Sequence, residues 1–316
     1  MEKLKVLFFT MDQSDQMEKS SHYLAEELKK QCDVMFWRTE GQMANILEQL
    51  PYKPDFILLN DCFAPKLGPL IKGLNDVHIP KAIIFHDISN YIHQRKRYIA
   101  QENIDMIFVH YRDAFRKWYP QLNRRMIWFP HHANLEIYKD YQLEKNINWL
   151  MMGALSSRLY PLRTLMLQRL KSTRGFQYHP HPGYYDEHSI QPGSLIGKDY
   201  AQEINRAKMF LTCNSVFEYP LMKYFEVLGC NTLLLAPSSK ELTDLGFVDR
   251  DTFIAVNKNN FEEKAAYYLR NEDERIRIAR NGYQMVREKH STEKRATELI
   301  QHIKQIIKRK TQTEGR

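Results

Sequence analysis

Two glutamates, Glu218 and Glu226, stand with seven residues between them in the window NSVFEYPLMKYFEVLGCNTLLLAPSS, and Lys223 lies between the pair. The apolar run before this window (MFLTC) and the one inside it (TLLLA) read as buried strands. The intervening stretch reads as a loop followed by a helix opening near Pro220–Lys223. In an open parallel sheet, ligands bind in the crevice at the carboxyl ends of the strands, where this loop belongs. A helix N-terminus there offers unsatisfied N–H groups and a positive dipole end to a phosphate. A carboxylate inside that helix can accept both hydroxyls of a ribose, one in the preceding loop can accept those of a sugar, and Lys223 can neutralise a diphosphate. The plainer alternative is that Glu218 caps the helix and Glu226 faces solvent.

Histidines mark a second set of strand ends. His86 and Asp87 follow the apolar run of KAIIFHDISNY, His110 follows Ile107–Val109, and His131 and His132 follow Trp128–Pro130. An imidazole near neutrality or a carboxylate can take a hydroxyl proton, so His86 and Asp87 are the candidates for acceptor binding or general-base work, with a hydrogen-bonded structural role as the alternative. Strand-end histidines converging on one cleft are what an active site would show. The segment YHPHPGYYDEH carries His179, His181 and His188. Pro180 and Pro182 break the regular spacing of a metal cluster, and a loop near a nucleotide base, stacking through Tyr184, is the expectation.

The elements that must position these groups alternate along the chain as short β-rich runs and helical patterns, the mark of parallel sheets covered by helices. Expected strands are 5–10, 34–37, 56–60, 82–86, 106–110 and 126–129, then 149–152, 177–179, 209–213, 232–236 and 252–256. Several are continuously apolar, as in strands buried on both faces. Helices are expected over 14–30, 162–171, 200–207, 261–270 and 292–308. The last carries Ala296, Leu299, Ile300, Ile303 and Ile307 on one face, with Ser291 or Thr292 as cap. The polar stretch 134–148 reads as a linker. The division expected is an N-terminal α/β domain over 1–140, a second over 141–290, and a helix with a basic tail over 291–316 that docks back on the first.

With 316 residues, 43% hydrophobic and 27% charged, the chain can build two cores. Its four cysteines, Cys32, Cys62, Cys213 and Cys230, are scattered without a CxxC pair, which suits a reducing cytoplasm. No apolar run reaches spanning length, and MEKLKVLFFTMD lacks the core and cleavage site of a signal peptide. The net charge of +8 reads as a solvated basic face; attraction to an anionic donor, an anionic acceptor or a membrane surface is the functional alternative. No helix-turn-helix, zinc or RNA-binding motif accompanies it, so nucleic acid is not an expected partner.

The Glu218–Glu226 window resembles the donor-binding signature of group 1 (GT4-like) glycosyltransferases. IWFPHHANLEIYKDY is similar to that family's passage between domains, and INWLMMGALSSRLYPLR to the first strand and phosphate loop of its C-terminal domain. GKDYAQEINRAKMFLTCNSVFEYPLMKYFEVLGC resembles most the CgeB-like, spore maturation branch. The likeness covers about 100–290, with the N-terminal third alike only in fold pattern. It implies the GT-B fold, two Rossmann-like domains facing across a cleft, and a C-terminal helix crossing back. It also implies that Glu226 holds the ribose and Glu218 the donor sugar. Gly153 would let the backbone approach the diphosphate, with Arg158, Lys223 and Arg163 as cations. Arg158, in the loop, is the stronger choice, because Arg163 falls on a helix where it could be solvated. The chain departs from the pattern in three places. EYPLMKYFE lacks the glycines whose amides reach the sugar, Asn231 replaces a turn glycine, and Thr10–Gln13 replaces the glycine-rich acceptor loop.

The function expected is transfer of a sugar from a nucleotide-diphosphate-sugar donor to a saccharide, protein or surface-polymer acceptor, with retention of configuration. The leaving diphosphate would be met by cations and a helix dipole, with no metal, since no DxD-type acidic pair sits at a strand end. The resemblance points to sporulation, in the mother cell or at the spore surface, and leaves peripheral membrane contact open. Two alternatives share the architecture: a nucleotide-sugar epimerase, and a non-catalytic sugar-binding or surface-layer protein.

Overall fold

In the computed structural model, which describes residues 3–183, 189 and 191–314, the chain divides into two compact units. The first comprises Met1–Asp15, Lys19–Pro130 and Glu293–Arg316; the second comprises Gln16–Glu18 and His131–Thr292.

The first unit carries β1 (Lys5–Phe9), α1 (Ser20–Gln31), β2 (Asp33–Trp37), β3 (Gly41–Gln42), α2 (Met43–Leu47), β4 (Phe56–Leu59), β5 (Ile71–Lys72), β6 (Lys81–Phe85), α3 (Ile92–Gln101), β7 (Met106–Val109), α4 (Arg112–Trp118) and β8 (Met126–Trp128). Six strands pair in the order β2-β1-β4-β6-β7-β8, all parallel, and β3 and β5 form a separate two-stranded pair. The runs KVLFF, FILL and KAIIF are almost wholly buried, as their unbroken apolar patterns demand. The first helix begins at Ser20 rather than Ser14. Asp12 explains part of that late start, because its side chain accepts the Ser14 N–H in a turn, a local bond that competes with helix.

The second unit carries β9 (Ile147–Met152), α5 (Pro161–Leu170), β10 (Phe176–His179), α6 (Gly197–Asn205), β11 (Ala207–Leu211), α7 (Met222–Gly229), β12 (Leu233–Ala236), α8 (Lys240–Asp244), β13 (Ile254–Ala255), α9 (Phe261–Arg270) and α10 (Glu272–Lys289). Its sheet runs β10-β9-β11-β12-β13, again parallel. Both sheets therefore place their second main strand outside the first and the third on its other side. In each, the crossovers reverse direction beside the first strand, and there the strand ends open a crevice.

The last helix, α11 (Thr292–Glu314), belongs to the first unit from Glu293 onward. Ala296, Leu299, Ile300, Ile303 and Ile306 are buried with Val6, Phe8, Phe108 and Phe129, each large side chain contributing roughly 1.5–3 kcal/mol on burial. Ile306 takes the buried position expected of Ile307, which is only partly covered. The turn at Asn231 has the left-handed φ of 52° expected of the asparagine.

Candidate functional site

In the second unit the crevice lies between β9 and β11. The chain leaves β9 through Gly153, whose φ of 131° suits glycine alone. A Cβ there would stand 3.1 Å from both Arg163 Nη1 and Lys223 Nζ. Two cations from different helices thus converge on one bare stretch of backbone. Arg163 spans the crevice: Nη1 donates to Ala154 O after β9 (2.8 Å) and Nη2 to Thr212 Oγ1 after β11 (3.3 Å). Its guanidinium lies over the Tyr160 ring at 4.4 Å. Its Nε is buried without a hydrogen-bond partner among the described residues. Lys223 Nζ donates to Met152 O at 2.8 Å. Burial, and then the neighbouring Arg163, lower the Lys223 ammonium to about 8.

Arg163, the candidate cation for which solvation was the alternative, is 3% exposed and central, because it sits on the face of α5 that carries Met166 and Leu170 into the core. Arg158, the stronger choice from sequence, is exposed in the loop. Glu226 is buried on α7, one turn beyond Lys223. Its Oε2 accepts from the Tyr200 hydroxyl at 3.2 Å. Burial raises its pKa above that of an ordinary glutamate, opposed by Lys223 and by hydrogen bonds from Tyr138 and Tyr200. The solvent-facing alternative is therefore wrong for Glu226. Glu218 is exposed in the loop before α7 with a left-handed φ of 58°. It caps nothing, since the N-cap of α7 is Leu221, which makes no side-chain cap hydrogen bond.

His181 lies near the same cations, and its pKa is lowered by burial and then by Lys223 and Arg163. Its Nδ1 accepts the Gly183 N–H at 2.9 Å, while His179 pairs with Glu203 at 3.0 Å. Tyr184 and His188 lie outside the described residues.

In the first unit the strand ends of β4 and β6 are locked by an ion pair the sequence reading did not anticipate. Asp61 and Arg95 meet at 2.8 Å, both essentially buried. Arg95 is held between the rings of Phe63 and Phe85 at 5.0 and 4.5 Å, and it donates to the carbonyls of Asn90 and Asp87. Asp61 accepts the N–H groups of His86 and Phe63. Asp61 stands two residues past β4, at a strand end as His86 does, so the positional argument applied to β4 would have found it. Asn60 Nδ2 donates to the hydroxyls of Thr10 and Ser21. That leaves its Oδ1 to accept from His86 Nε2 at 2.8 Å, and so fixes the imidazole proton on Nε2. His110 stands against His86 with ring centroids 4.7 Å apart. Burial, then His86, hold its pKa well below the usual value. The Asp87 carboxylate accepts from Ser89 and Asn90 and closes a turn. His131 and His132 belong to the second unit, where His131 packs on Phe225 and His132 Nδ1 meets Thr292 Oγ1 at 3.0 Å.

The family model described as glycosyl transferase-like matches residues 163–301, a stretch that begins at Arg163 and contains Glu218, Lys223 and Glu226. No curated protein sequence matches the chain. Among solved structures, HepE of Anabaena, in complex with UDP and glucose, is similar at 11% identity and a TM-score of 0.62, over 96% of this chain and 100% of that one. Sucrose-phosphate synthase of Thermosynechococcus elongatus is similar at 12% identity and a TM-score of 0.67, over 96% and 99%. An α-glucosyltransferase in complex with UDP-glucose and DNA containing an abasic site is similar at 10% identity and a TM-score of 0.61, over 96% and 100%. The fold is that of the GT-B glycosyltransferases, and the matched stretch is a glycosyl transferase-like domain. No helix among the described residues is long and apolar enough to cross a membrane.

Proposed function

We propose that the chain transfers a sugar from a nucleotide-diphosphate-sugar donor held by the second unit. The observation that carries this reading is the convergence of Arg163 and Lys223 on Gly153, one helical turn from the buried Glu226. Bare backbone and two desolvated cations suit a diphosphate, and a buried carboxylate one turn along suits the two hydroxyls of a ribose. As the bond to the sugar breaks, negative charge grows on the diphosphate, and preorganised cations in a dry crevice stabilise it without a metal. Retention of configuration fits the signature resembled by the Glu218–Glu226 window. Glu218, exposed in the loop before α7, is assigned to the donor sugar.

UDP is the first nucleotide to test, since HepE and the α-glucosyltransferase were both solved with UDP or UDP-glucose. On the acceptor side, His86 is the residue we assign. The Asp87 carboxylate is committed to its turn, whereas His86 stands at the end of β6 with its Nε2 on Asn60 Oδ1 and its ring against His110. The resemblance of stretch 197–230 to the CgeB-like branch supports a saccharide, protein or surface polymer as acceptor. The DNA in the α-glucosyltransferase complex makes nucleic acid the control class.

The test is product analysis with a panel of UDP-, GDP-, CDP- and ADP-sugars and these acceptor classes. Release of the nucleoside diphosphate together with a glycosylated acceptor supports transfer. Interconversion of donor epimers with no such release would overturn it.

A further inference from the structure

Glu226 is held by a phenol that the donor chemistry has not yet used. The Tyr200 hydroxyl, from α6, donates to Glu226 Oε2 at 3.2 Å, and the face of the same ring lies 5.6 Å from Lys223 Nζ. Tyr200 therefore touches both the carboxylate assigned to the ribose and one of the cations assigned to the diphosphate. Tyr138 closes the arrangement from the segment before β9. Its ring meets Tyr200 edge to face at 6.3 Å, and its side chain hydrogen-bonds Glu226. Gly229 on α7 is where the Tyr138 backbone packs, and a Cβ there would come within 3.1 Å of Tyr138 O. A carboxylate has lone pairs for about four hydrogen bonds, so two phenols can orient it and leave capacity for a diol.

We infer that Tyr200 is a positioning residue of the donor site, which orients the Glu226 carboxylate for the ribose hydroxyls while its ring backs the Lys223 ammonium. The inference rests on the donor-site reading above. A buried glutamate with no such donor would rotate or take up a proton, and in either state it binds a diol poorly. The groups acting on it are Lys223 on its own helix, Tyr200 from α6, Tyr138 from the preceding segment and Glu18, with Cys230 close by. Burial raises the Glu226 pKa, and the two phenols work against that rise. Loss of one phenol therefore moves protonation of Glu226 to higher pH.

Tyr200→Phe keeps the ring under Lys223 and removes only the hydroxyl. UDP affinity is expected to fall about tenfold, the scale of one hydrogen bond to a charged group, and the acid limb of UDP binding to shift upward in pH. Inorganic pyrophosphate, which needs the cations and not Glu226, is expected to bind as in the wild type. With a donor sugar, KM rises at constant kcat, because the ribose contact is equal in ground and transition states. A merely structural tyrosine would lower the melting temperature and leave the acid limb in place. Wild-type UDP affinity and an unmoved limb in Tyr200→Phe, in a chain whose wild type binds UDP, would overturn the inference alone. A wild type that binds no nucleoside diphosphate would overturn the donor-site reading and this inference with it.

Discussion

Lys223 is kept charged at a cost, and that cost can be measured. Burial and the adjacent Arg163 bring its pKa from 10.5 to about 8. Holding the proton at pH 7 against that depression costs about 3 kcal/mol. Lys223→Met removes the charge at similar volume and also removes the bond to Met152 O, worth about 1 kcal/mol. The empty variant should therefore be more stable than the wild type by about 2 kcal/mol at neutral pH, while losing donor binding. The sign in pH follows from the depressed value. Between about 8 and 10.5 the unfolded chain still holds a proton that the folded chain has lost, so wild-type stability rises with pH across that window. The variant lacks this contribution, and its advantage shrinks toward pH 10. Lys145, also held near 8 by burial, gives the same slope in both proteins and drops out of the difference. For binding the sign reverses. An anionic diphosphate requires the ammonium, so wild-type UDP affinity should be level between neutrality and pH 8, above the acid limb set by Glu226, and fall beyond pH 8 by at most about tenfold per unit. Thermal unfolding and titration calorimetry with UDP, on both proteins across this range, read both effects. A Lys223→Met variant that is less stable than the wild type, or that binds UDP equally well, would show that Lys223 is neither held charged at a cost nor used for the diphosphate.

Two further substitutions probe the frame. Gly153→Ala puts a Cβ at a φ of 131° and 3.1 Å from both cations. It should cost about 1–3 kcal/mol in backbone strain and weaken UDP binding by more than tenfold, as read by thermal shift with and without nucleotide. Asp61→Asn leaves Arg95 buried without its counter-charge. Denaturant unfolding should show a loss of roughly 3–5 kcal/mol, with UDP affinity in the folded fraction unchanged, since Asp61 belongs to the first unit.

The parallel sheets were legible because buried strands such as FILL, KAIIF and TLLLA are apolar without interruption, and only a sheet covered on both sides asks for that. The pairs too short to carry a pattern, Gly41–Gln42 with Ile71–Lys72, were not. The helix bearing Glu226 was placed within two residues, and Asn231 was assigned its turn correctly. Arg158 was given more weight than Arg163, yet Arg163 is the one buried beside Gly153 and Arg158 is exposed. A loop position after a strand suggests access to a ligand, but whether an arginine on a helix turns inward depends on which helix face meets the sheet. The near-even spread of polar residues along α5 hides that face. Tyr200 and Tyr138 were missed for a related reason. Each hydroxyl acts on a residue distant in sequence, Glu226 being 26 positions from Tyr200, and no local pattern records such a contact. Asp61 was legible in principle, from its place two residues past a buried strand.

The proposed transfer requires the second unit to hold a nucleoside diphosphate through Glu226 and the two cations. Titration calorimetry of UDP against the wild type and Glu226→Ala tests it most directly. Clear binding by the wild type and a loss of about tenfold or more in the variant are expected, the scale of hydrogen bonds to a charged group, while inorganic pyrophosphate binds both proteins alike. Equal UDP affinity in the two proteins would contradict it.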